Sequence, residues 1–284
     1  MRVIWPIFDM ISYSLAVFSI AGATLIPTFL ALYLITNLKI PTRYLGALGL
    51  GLALWFFFDT FNDAIQLDVN QAFTGGLDHV AHVFVFWAGI ATLAVFDYFA
   101  VRKPNLPLPQ NGTVADNATK CLVLVPIGIA FVMGIHSLGE GWDFGGASGL
   151  AQTETITNAF GNLSALASYP MHKFLESIVV ACAYAIYVER SGAVKKWWHL
   201  LMLGLLFGGT SVVGTALGYY NPAVDTTYFF AFGVTSAFYA ILRLSESISL
   251  NFKIGENAPS YLGWKIFFTV MIGFFLLYFA ALFH

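Results

Sequence analysis

An all-α, polytopic membrane protein is the fold class the sequence predicts, and three observations carry it. The 284-residue chain is 58% apolar and only 10% charged, against roughly 25% charged in a soluble domain, and its mean hydropathy is +0.76. Apolar runs of about 20 residues, the length that spans a bilayer, recur eight times. Basic residues gather in alternate connections between those runs. An apolar excess of this size has no water-facing arrangement, so the lipid bilayer is the first partner. The net charge of −2 leaves no basic face for nucleic acid, and the scarcity of charge excludes a disordered chain.

In chain order, the spans fall at 11–36, 46–66, 79–101, 121–142, 167–188, 198–219, 227–247 and 262–283. The first ends at Lys39-Ile40-Pro41-Thr42-Arg43, where charge and a proline interrupt the run. The second turns polar from Asp59 onward, and the third stops at Arg102-Lys103, before a proline-rich polar connection over 102–120. Span four runs toward Gly145-Gly146, so a connection rich in Gly, Ser, Thr and Asn is expected over 143–166, with room for a short surface helix. Span five stops at Glu189-Arg190-Ser191-Gly192. Span six carries Gly204, Gly208, Gly209, Gly214 and Gly218, which mark close helix packing, and His199 beside Trp197-Trp198 reads as part of an interfacial aromatic belt. Asn221-Pro222 separates it from spans seven and eight. Cys121 and Cys182 lie in apolar runs, which argues against a secreted disulfide scaffold. No connection is long enough for a second domain, and residues 1–284 form one membrane domain.

Orientation follows from the basic residues. Of thirteen Lys and Arg, eleven lie in or beside connections 1–2, 3–4, 5–6 and 7–8. Connections 2–3, 4–5 and 6–7 hold none and carry Asp68, Asp143, Glu154 and Asp225. The positive-inside rule then places both termini outside the cytoplasm, in a multi-pass protein of the plasma membrane. The Asn-X-Thr sequons at Asn111 and Asn117 face the cytoplasm in that topology and are uninformative.

Ionisable groups inside a bilayer are costly, so each needs a partner or a task. Span four places His136 and Glu140 at i and i+4, and span five repeats the spacing with His172 and Glu176. Two such pairs on antiparallel neighbours at matching depth can converge, and two imidazoles with two carboxylates suit Zn²⁺, Fe²⁺ or Mn²⁺. The alternative is a set of hydrogen-bonded helix clasps without metal. Lys173 bears on both: its ammonium would repel a second cation, or would pair with Glu140 or Glu176 and take a metal's place. A second cluster, Asp59, Asn62 and Asp63 on span two with Asp78, His79 and His82 on span three, reads equally as a cation-attracting vestibule or as ordinary polarity at helix ends.

At these residues the sequence resembles the ZIP (Zrt/Irt-like) family of divalent-metal transporters. The family's fourth span carries His-Asn-X-Pro-Glu-Gly, where this chain reads His136-Ser137-Leu138-Gly139-Glu140-Gly141. Its fifth span carries His-Glu-X-Pro-His-Glu or Gln-Asp-X-X-Glu, where this chain reads His172-Lys173-Phe174-Leu175-Glu176. Phe230-Ala231-Phe232-Gly233 through Tyr239 to Glu246 is similar to its seventh-span pattern. The resemblance implies a ZIP-like bundle of eight helices with both termini outside, commonly dimeric. It also implies a primary metal held by His136, Glu140, His172 and Glu176. The second metal's positions hold Ser137 and Lys173, and span six lacks a bridging carboxylate, so a one-metal site is implied, with those two residues modulating it.

The leading expectation is therefore inward transport of a divalent transition metal, zinc first, with iron or manganese also fitting the donors. The alternative is a ZIP-fold accessory subunit of a larger membrane complex, with a degenerate or purely structural metal site. An intramembrane metal hydrolase ranks last, because no nucleophile and no His-Glu-X-X-His motif accompanies the ligands, and the chain reads as a non-enzyme.

Overall fold

The computed structural model describes residues 5–65, 77–101, 123–151, 155–191, 194–249 and 263–282, and no strand occurs among them. Long apolar runs become helices because only a helix satisfies every backbone N–H and C=O within one segment when no water is present. The helices are α1 Trp5–Asn37, α2 Thr42–Ile65, α3 Leu77–Val101, α4 Leu124–Ala151, α5 Ile156–Ala159, α6 Leu163–Ser191, α7 Trp197–Gly218, α8 Thr227–Ser249 and α9 Trp264–Ala281. Seven of them, α1 to α4 and α6 to α8, are long and apolar enough to cross a membrane, and α9 is apolar but shorter. The protein is thus a bundle of apolar helices of the kind multi-pass membrane proteins form. Large apolar side chains such as Phe18, Ile26, Phe84, Trp87 and Phe99 project outward from it.

The helices pack as two sets. Helix α1 lies against α6 and α7, and α4 against α7; helix α2 lies against α8 and α9, and α3 against α8. The seam between the sets runs where α4 meets α8 and where α6 meets α2. Helix α6 is the most enclosed of the seven long helices. Its core residues Val179, Val180, Ala181, Cys182 and Tyr184 are almost entirely shielded.

The fourth span is where the structure departs most from the expected boundaries. Helix α4 runs on through Gly145-Gly146 to Ala151, two turns past the expected end at 142. Glycine here serves close approach. A Cβ on Gly141, Gly145 or Gly149 would strike the carbonyls of Ser211, Thr215 and Tyr219 in turn, and one on Gly214 or Gly218 would strike those of Leu138 and Trp142. The two backbones therefore touch along several turns, the small-residue packing that substitutes for hydrophobic driving force between helices in lipid. Gly204 and Gly208 likewise face Phe29 and Thr28 of α1, whereas a Cβ on Gly209 would meet only Leu205 of its own helix. What remains of the 143–166 connection contains the single-turn α5, capped by the Thr155 hydroxyl accepting from the Asn158 N–H.

Two polar side chains have partners that the sequence does not show. His199 is buried: its Nδ1 lies 3.0 Å from the Tyr184 hydroxyl of α6, and Trp198 packs on its ring. Arg243, near the end of the expected span 227–247, lies within α8 and pins it to α3. It pairs with Asp97 and makes two 2.9 Å bonds to Glu246, while Tyr239 donates to Asp97 at 2.9 Å.

Candidate metal centre

Helices α4 and α6 bring the duplicated His-X-X-X-Glu pairs together. At i and i+4 each imidazole stands over its own carboxylate, giving His136 Nε2 to Glu140 Oε1 at 3.5 Å and His172 Nε2 to Glu176 Oε1 at 3.2 Å. The pairs are linked across the helices, because Glu176 Oε1 also lies 3.8 Å from His136 Nε2. Donor atoms of His136, Glu140 and Glu176 all fall within 4.8 Å of one another, and His172 joins that group through Glu176. Pro170, two residues before His172, lacks an N–H and so cannot donate to the Leu166 carbonyl, which leaves α6 a gap in its hydrogen-bond ladder beside the site.

Lys173 is fully buried and bridges the two carboxylates. Its Nζ reaches Glu140 Oε2 and lies 2.5 Å from Glu176 Oε2. Each glutamate is thereby divided: one oxygen faces the ammonium and the other faces the imidazoles. The lysine stem runs between aromatic walls, with Nζ 5.7 Å from the Tyr169 ring centre and 5.6 Å from that of Phe207. The next turn is fixed to α1, since the Ser177 hydroxyl contacts the Lys173 carbonyl at 2.6 Å and Thr28 Oγ1 at 2.9 Å. Ser137 is fully buried beside His136, and its hydroxyl has no hydrogen-bond partner among the described residues.

The other helix set closes the site across the seam. From α2, Phe56 meets the His136 ring edge-on at 4.8 Å; from α8, Phe230 lies at 5.2 Å. Gly233 allows α8 to come close, for a Cβ there would lie 2.6 Å from that of His136. Asp59 of α2, one-third exposed, places Oδ2 3.9 Å from His172 Nε2. Donors thus step from a partly exposed aspartate through His172 to a buried centre. Two carboxylates, Glu140 and Glu176, share the single ammonium of Lys173, and Asp59 adds a partly exposed carboxylate beside His172.

The remaining vestibule residues fare differently. His82 turns to the first turn of α8, with Nε2 2.6 Å from Thr227 Oγ1 and its ring stacked on Tyr228 at 4.5 Å. The side chains of Asp63, Asp78 and His79 lie outside the described residues, as do Cys121, Asp68 and both sequons. Sequence reasoning missed the aromatic lid of Phe56 and Phe230 and the Asp97–Arg243 pair. Asp97 was legible as a lone carboxylate inside an apolar run, which should itself have demanded a basic partner. Asp143, read as part of a connection, lies in α4 and accepts from the Thr226 hydroxyl at 2.9 Å. No family model matches the chain, and no curated protein matches it.

Proposed function

We propose that the protein carries a divalent transition metal across the plasma membrane toward the cytoplasm, as a ZIP-like transporter of eight spans with both termini outside. Zinc is the favoured cargo, and iron or manganese fit the same donors. In this reading α9 is the eighth span: its 18 residues extend about 27 Å, close to the roughly 30 Å hydrocarbon core. The carrying observation is the convergence of His136, Glu140 and Glu176 within 4.8 Å, with His172 alongside, at a seam between two helix sets. One dication fits between the imidazoles and the glutamate oxygens that face away from Lys173. It would take Glu140 Oε1, Glu176 Oε1 and imidazole nitrogens, while Lys173 keeps the opposite oxygens and with them the place of a second ion. Donors held by α4 and α6 and covered by α2 and α8 suit a carrier in which one helix set moves against the other.

Lys173 bridging both glutamates favours a second reading, a metal-free clasp in an accessory subunit of a larger membrane complex, because a lysine can neutralise much of what a metal would. Uptake of radioactive zinc into vesicles containing the purified protein separates the two. The transporter reading expects uptake above protein-free vesicles that falls at least tenfold in His136→Ala and in Glu176→Gln. Wild type that neither takes up nor binds zinc, iron or manganese would overturn it and leave the clasp.

A further inference from the structure

Away from the metal centre, a cavity of about 480 Å³ opens at the end of the bundle where α1, α2 and α6 meet, bounded by the α1–α2 and α6–α7 connections. That size lies within the range of small-ligand sites. Its floor is apolar, formed by Leu45, Ile40 and Val188, and its rim carries Lys39, Lys195 and Glu189. Three charges of mixed sign around one cavity would ordinarily close on each other. Here they do not: among the described residues neither lysine makes an ion pair. The Lys195 ammonium meets only the neutral Asn37 carboxamide oxygen, and Glu189 accepts from the Thr42 hydroxyl at 3.4 Å. Two ammonium groups and one carboxylate thus share the rim without a direct ion pair, leaving it a net positive charge around an open space.

We propose that this cavity binds the phosphate headgroup of an anionic membrane lipid, with Lys39 and Lys195 on the phosphate and Glu189 on a hydroxyl of the headgroup. Three features point to a lipid as the source of the phosphate. The site stands at the end of long apolar helices, where headgroups reside. It lies at the end marked cytoplasmic by the clustered basic residues, where basic pockets between helices take anionic lipids. Its floor is apolar, which suits the glycerol and first methylenes of a lipid and not a free ion. Bound there, a lipid would join α1, α2 and α6 across the two helix sets, 13 residues along α6 from Glu176. The assignment is independent of any metal.

The test uses the purified full chain in detergent, with native mass spectrometry reading retained lipid and thermal unfolding reading stabilisation. Phosphatidylglycerol, phosphatidylcholine and inorganic phosphate are added in separate arms. Phosphatidylglycerol is expected to bind and raise the unfolding temperature, phosphatidylcholine to bind at least about fivefold more weakly, and inorganic phosphate to do neither. Each lysine removed should cost about fivefold in affinity, so the double variant Lys39→Ala/Lys195→Ala should lose about 25-fold. Lys39→Arg/Lys195→Arg keeps the charge and should retain binding, and Lys265→Ala at another exposed site should bind as wild type. Equal retention by the double alanine variant and wild type overturns the proposal, as does equal binding of the two lipids. Stabilisation by inorganic phosphate equal to that by phosphatidylglycerol would overturn the lipid assignment.

Discussion

Replacing Lys173 with Met is the perturbation that most directly separates a metal centre from a clasp. The side chain is fully buried and contacts one oxygen of each glutamate, so methionine preserves volume but leaves two buried carboxylates without their ammonium. Breaking a buried ion pair from one side costs about 3–5 kcal/mol. At about 2 °C per kcal/mol for a chain of this size, the metal-free variant should unfold about 6–10 °C lower. A dication on the Oε1 side would sit roughly 5 Å from the lysine Nζ, given a metal–oxygen bond of about 2.1 Å. At an effective dielectric constant of about 20, that repulsion is about 6–7 kcal/mol before neighbouring charges reduce it. Removing it should tighten zinc binding by at least about tenfold. Thermal unfolding in detergent, with and without zinc, and a zinc titration read both effects. The expected pattern is a lower melting temperature without metal and a larger zinc-induced rise than in wild type. An unchanged metal-free melting temperature would refute the charge-compensating role of Lys173. A destabilised variant that zinc cannot rescue would refute the metal site.

Three further outcomes follow from the same structure. Asp59→Asn removes the partly exposed carboxylate beside His172 while leaving the buried group intact, so zinc uptake should slow several-fold with bound zinc still saturating at one per chain; a loss of stoichiometry would show that Asp59 is part of the centre itself. Gly145→Ala drives a methyl group into the Thr215 carbonyl, and overpacking of this kind costs about 1–3 kcal/mol; the melting temperature should fall, whereas Gly209→Ala, which meets only its own helix, should leave it unchanged or raise it. Arg243→Met strands Asp97 and Glu246 and should lower the melting temperature by several degrees, with Arg243→Lys intermediate because lysine lacks the two-pronged geometry that holds Glu246 while reaching Asp97.

The sequence by itself determined the solvent and the material of the fold. Continuous apolar runs of about 20 residues in a chain with so little charge favour membrane helices, because a helix satisfies its backbone groups within one segment and barrel strands would be shorter and alternating; the seven long apolar helices accord with composition and length. It also determined which residues share a helix face, since i and i+4 spacing is local geometry, and His136 with Glu140 and His172 with Glu176 were legible on that ground. Tertiary structure decided what local spacing cannot carry. Gly145-Gly146 reads as a break in one dimension, yet it continues α4 because a facing helix backbone occupies the space a side chain would have taken. Lys173 could have repelled, tuned or bridged; that it divides both carboxylates depends on the distance between α4 and α6, which no pattern within either helix encodes. The same holds for Asp59, whose approach to His172 is set by how α2 crosses α6, and for Phe56 and Phe230, ordinary apolar residues until packing laid them over an imidazole.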